Sequence, residues 1–169
     1  MTKGIAKQEA RSASMSRIDS QTYLSMLREM VEEGQAVNLL ISGNSMAPFL
    51  LDCRDTIRFK SPDRPLKTGD MVFFQRDNGM FIMHRIIRVH KMADGSKSYD
   101  IAGDNQVQIE KGVREDQIFG LIFEAKRKGK MISPGDFWWE FFARIWPRII
   151  PLRRMIRKFY SLLHRLGIK

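Results

Sequence analysis

Ser45 lies in the run SGNSMAPF, residues 42–49, directly behind the apolar stretch VNLLI at 37–41. The apolar run reads as a buried strand, and Gly43-Asn44 turns the chain so that a single hydroxyl is presented at the strand end. A serine hydroxyl is a weak nucleophile until a base takes its proton, so the groups that can reach Ser45 decide what the turn is for. His84, in MFIMHRIIRVH, is the first candidate. Strand alternation puts Phe81 and Met83 on one face and Ile82, His84 and Ile86 on the other. An imidazole titrating near neutrality among apolar neighbours suits general-base work. Asp104, in Ala102-Gly103-Asp104-Asn105 at the end of a later strand, offers a carboxylate that can orient the imidazole and stabilise its protonated form. Glu110 is the alternative orienter. Taken singly, each feature also fits a surface loop, a structural histidine or an ordinary turn.

These groups need elements to carry them. Residues 1–17 are rich in Ser, Lys, Arg and small side chains and are expected to be disordered. A leading helix spans 18–35: Asp19 or Ser20 can cap it, Tyr23, Leu24, Leu27, Met30 and Val31 form an apolar stripe, and Gly34 stops it. Residues 36–132 form a β-rich domain, with strands expected at 37–42, 55–59, 70–76, 80–90, 97–102 and 117–125. Asp77-Asn78-Gly79 and Asp94-Gly95 are hairpin signals. Short strands at this spacing predict a mainly β fold of antiparallel barrel type rather than βαβ units. Residues 133–169 form a basic, aromatic, amphipathic helical tail, interrupted at Pro147 and Pro151.

Charge and composition narrow the chemistry. The chain has 169 residues and a net charge of +10, and residues 134–169 hold eight Lys/Arg against two Asp/Glu. Most of the excess is therefore in the tail, which points to an anionic partner. Trp138, Trp139, Phe142 and Trp146 are expected to enter a membrane interface, with Arg148, Arg153, Arg154, Arg157 and Lys158 among anionic head groups; the alternative is that part of the tail packs on the domain as a C-terminal helix. Of the two anionic partners such a tail suits, lipid head groups and nucleic acid, the membrane surface is the expected one and nucleic acid is not. Cys53 is the only cysteine, and His84, His90 and His164 lack metal-ligand spacing, so neither a metal nor another cofactor is expected. The N-terminal sequence has no apolar run of secretory length, and no stretch of about 18 apolar residues would span a bilayer. The expected location is peripheral or monotopic, on the cytoplasmic side of a membrane.

The boxes SGNSMAPFL, KTGDMVFF, MHRII, AGDNQ and QIFGLIF, in that order over residues 38 to about 125, resemble those of the signal-peptidase superfamily of serine proteases. That superfamily also contains the self-cleaving repressors of the DNA-damage response. The resemblance implies a signal-peptidase-like coiled β-barrel and makes Ser45, in the Gly-x-Ser-Met-x-Pro box, the nucleophile. Bacterial-type members have a lysine where this chain has His84, so the sequence is similar to the histidine branch found in archaeal and endoplasmic-reticulum enzymes. The implied triad is Ser45–His84–Asp104, with Glu110 in reserve as orienter. The Ser45 N–H is expected to line the oxyanion hole. Gly43 stands where some relatives have a second serine, leaving Asn44 or Ser42 to supplement it. The usual membrane helix ahead of the serine box is replaced by the leading helix, and the basic tail is the candidate to take over its anchoring. The implied substrate is a peptide or protein, such as a leader-bearing precursor peptide. A non-catalytic peptide-binding or regulatory homologue is the alternative. A repressor-like autoprotease fits less well, because no Ala-Gly or Cys-Gly cleavage site precedes the serine.

Overall fold

A computed structural model describes residues 22–149. The expected disordered segment 1–17, the Asp19 or Ser20 cap, and the tail cations Arg153, Arg154, Arg157 and Lys158 lie outside the described residues. The fold is mainly β: eight strands pair antiparallel throughout, in the order β1-β2-β7-β3-β4-β5-β6, with β8 on β7. The strands are β1 Val37–Leu40, β2 Thr56–Lys60, β3 Met71–Gln75, β4 Phe81–Lys91, β5 Lys97–Ala102, β6 Glu110–Arg114, β7 Ile118–Arg127 and β8 Lys130–Ile132. Both hairpin signals form turns with their glycine at positive φ: Arg76 N–H donates to Met80 and Met92 N–H to Ser96, each at 2.9 Å.

Alternation sorts the sheet's side chains into two cores. Val72, Phe74, Ile86, Tyr99, Ile101 and Leu121 pack in one. Met71, Phe73, Phe119 and Ile122 face the other, which is covered by three appended pieces. The first is the helix α1, residues 22–32. It buries Leu27 and Val31 and leans Leu24 on the same core, whereas Tyr23 and Met30 are exposed, so the stripe is narrower than the periodicity suggests. The helix stops at Gly34, whose φ is +88° and whose N–H donates to Val31 O at 3.0 Å. The second piece is the serine turn, anchored by buried Met46, Phe49 and Leu50.

The third is a helical segment after β8: a short helix α2, Phe137–Glu140, a π-type turn, Phe141–Ile145, and a 3-10 turn, Trp146–Ile149. For its buried residues it corrects the expected membrane contact in favour of the alternative, packing on the domain. Trp139 and Phe142 are buried in the core, with ring centroids 6.0 and 4.8 Å from that of Phe49, and Trp146 is half-buried beside Phe142. Trp139 and Phe142 are thus committed to the core and are not free to enter a membrane, whereas Trp146 is only partly covered. Phe137 (73% exposed), Trp138 (48%) and Ile145 (49%) remain outside, and so does Arg148.

Candidate catalytic site

The serine turn is held at both ends. Gly43, at φ +89°, donates its N–H to Asp52 Oδ1 at 2.9 Å, and Leu50 N–H donates to Met46 O at 3.0 Å. A second clamp comes from the chain after β5: Asn105 N–H donates to Ser45 O at 2.8 Å and its side-chain amide to Asn44 O at 3.1 Å. Ser45 is half-buried, while Ser42 and Asn44, the residues considered for the oxyanion hole, are exposed.

Gly103 reports how closely the parts approach. A Cβ added there would lie 2.6 Å from Ser45 O and 3.1 Å from both Nε2 and Cδ2 of His84. The backbone carrying Ser45 and the Nε2 edge of the imidazole therefore converge on one point, and only a residue without a side chain fits between them. His84 is 3% exposed and lies on β4 opposite Val72 of β3, with the Phe74 ring nearby. Burial pushes its pKa below the ordinary 6.5; the positive charge of Arg76 acts the same way, while Glu110 and Asp104 oppose it. The imidazole is thus neutral at pH 7, the state a general base needs.

The other edge of the ring meets a carboxylate, and it is that of Glu110. His84 Nδ1 is 3.4 Å from Glu110 Oε1, a contact too long and poorly aligned to satisfy the nitrogen, which has no hydrogen-bond partner among the described residues. Asp104, the expected orienter, is engaged elsewhere. Both its oxygens accept from Arg85, Oδ1 from Nε at 2.9 Å and Oδ2 from Nη2 at 2.8 Å, and both residues are 0% exposed. Arg85 also donates to Gly69 O at 2.8 Å, and its guanidinium lies over the Phe49 ring. Trp146 Nε1–H donates to Asp104 O at 2.8 Å. Asp104 is thus the hub tying β4, the segment after β5 and the C-terminal helical segment together. The carboxylate beside Nδ1 comes from β6.

Two arginines complete the arrangement and were missed in the sequence. Arg85 directly follows His84 in MHRII, but its partner depends on strand register. Arg76, in the β3–β4 hairpin, binds Glu110 with two bonds, Nε to Oε2 at 2.7 Å and Nη2 to Oε1 at 2.6 Å. Burial alone would raise the Glu110 pKa; Arg76 and His84 outweigh it and hold the carboxyl below its ordinary value. Among the described residues no cluster of three or more His, Cys, Asp or Glu is placed to hold a metal ion. No helix among them is long and apolar enough to cross a membrane. No family model matches the chain, and no curated protein matches it either.

Proposed function

We propose that the chain is a serine endopeptidase of the signal-peptidase type, in its histidine branch, cleaving a precursor or leader-bearing peptide through an acyl-enzyme. The observation that carries this reading is the convergence of Ser45 and the Nε2 edge of buried His84 around Gly103. Ser45 Oγ attacks the scissile carbonyl, and His84 Nε2 takes the hydroxyl proton and passes it to the leaving amine. Water then attacks the acyl-enzyme, with His84 again as base. The Ser45 N–H faces the developing oxyanion, a donor worth about 3 kcal/mol in comparable sites. Glu110, rather than Asp104, stabilises the imidazolium through Nδ1, because Asp104 is held by Arg85. At 3.4 Å the Glu110 carboxylate acts on the charged ring chiefly through its negative charge. A coiled β-barrel belongs to the same reading; the antiparallel sheet, with the serine turn following β1, is consistent with it.

Intact-mass measurement with a hydroxyl-directed covalent probe tests the nucleophile. One adduct is expected on the wild type and none on Ser45→Ala. The competing reading, a homologue that binds an extended peptide without cleaving it, draws on the unsatisfied Nδ1 of His84. Peptide binding with no adduct at any pH would select it.

An anionic membrane surface is the proposed second partner. Exposed Phe137, Trp138 and Ile145, with Arg144 and Arg148 beside them, supply the apolar and cationic contacts that an interface rewards.

A further inference from the structure

Glu110 is contested by two groups. Arg76 takes both carboxylate oxygens in a fork, at 2.6 and 2.7 Å, and the same Oε1 that receives the shorter bond faces Nδ1 of His84 at 3.4 Å. Rotating the carboxylate to improve its alignment with the imidazole would lengthen at least one bond to Arg76. Bidentate pairing is the stronger and more directional contact, so the arginine sets where the carboxylate stands. The polar atom on the other side of this contact is deeply buried and has no hydrogen-bond partner among the described residues. Arg76 itself is part-exposed and lines a cavity of about 300 Å³ together with Asn105, Gln106, Val107, Gln108 and Glu110. Asn105 is the residue that clamps Ser45 O, so this cavity adjoins the serine turn.

We propose that Arg76 is a positioning residue of the site: it anchors Glu110 by both oxygens beside His84 Nδ1 and restrains the carboxylate from closing on the imidazole. This rests on the assignment of His84 as base, but the geometry it describes is independent of turnover. The charged groups acting on His84 are Glu110 from β6, Arg76 from the β3–β4 hairpin and Asp104 from the segment after β5, the last paired with Arg85 of β4 itself. Removing Arg76 takes away a cation that disfavours imidazolium and frees Glu110 to close on Nδ1. Both changes favour the charged ring.

NMR titration of the His84 ring in the intact chain, assigned by His84→Gln, reads this directly. In Arg76→Met the midpoint is expected to rise by about one pH unit. In Arg76→Lys, which keeps the charge but not the fork, it should rise less. Glu110→Gln should lower it. An unmoved or lowered midpoint in folded Arg76→Met overturns the proposal. If Arg76→Met does not fold, Arg76→Lys decides by the same criterion, an unmoved midpoint counting against. Covalent labelling of Ser45 across the same pH range is the second arm, its acid limb moving with the titration. Absence of labelling in the wild type would sink the peptidase assignment while leaving the titration to judge Arg76.

Discussion

His84 and Arg85 are neighbours in sequence and belong to different networks. His84 is buried beside Phe74 and meets Glu110, while Arg85 lies over Phe49, in the other core, and pairs with Asp104. The two carboxylates should therefore respond differently to removal. Asp104→Ala leaves a guanidinium buried and unpaired and is expected to destabilise the fold by about 3–5 kcal/mol, measured by denaturant unfolding. Glu110→Gln should cost much less stability and instead alter the pH dependence of Ser45 labelling. Equal stability losses in both variants would contradict this division. His84 adds a pH signature of its own. Its folded pKa lies below the unfolded 6.5, so between these values the unfolded chain binds the extra proton and stability falls as the pH drops below about 6.5. The slope from this residue is at most about 1.4 kcal/mol per pH unit, and it should vanish in His84→Gln. The sequence showed the serine, the histidine and both carboxylates. It did not show which carboxylate each β4 residue meets, because that depends on bulges between Ile86 and Arg88 and between Tyr99 and Ile101 that shift the register.

Elements whose two faces differ in burial were legible; elements at the sheet's margin were not. β3, β4, β5 and β7 announce themselves through apolar or alternating runs between turn residues. β6 reads EKGVR and buries only Val113, and β8 is three residues long, so neither carries a periodic signal. Missing β6 mattered most, since it delivers Glu110. In the C-terminal segment the apolar residues were visible, but the π-type turn Phe141–Ile145 changes the phase of the helix, so which of them face the core could not be read from a 3.6-residue period. Close backbone approach now explains two glycines. A Cβ on Gly69, whose φ is +94°, would fall 2.6 Å from Ala143 O, and one on Gly103 would strike the serine turn and His84. Gly69→Ala is expected to loosen the docked helical segment and lower the melting temperature. Gly103→Ala is expected to cut Ser45 labelling by at least about tenfold, the equivalent of roughly 1.4 kcal/mol. Wild-type labelling in Gly103→Ala would show that the two groups do not need the observed approach.

For the whole molecule, the sheet's outer covering is uneven, and that asymmetry bears on the proposed membrane partner. α1, the serine turn and the C-terminal segment all cover one core, and Phe137, Trp138 and Ile145 stand out from the last of these. Trp138 is capped on one side by Arg127, whose guanidinium lies 5.2 Å from the ring centroid, an aromatic–cation pair that can face lipid head groups together. The net charge of +10, concentrated toward the C-terminus, adds long-range attraction to an anionic surface. Apolar insertion and electrostatic attraction separate by salt: screening weakens the second and leaves the first. Full-length protein should sediment with vesicles containing anionic phospholipid, less with zwitterionic vesicles, and less again as salt is raised. Phe137→Ser with Trp138→Ser should reduce pelleting even at low salt, because neither residue contributes to the buried core and the fold should survive. If the double variant pellets like the wild type, these side chains are not the contact; if the wild type stays in the supernatant, the membrane partner is wrong.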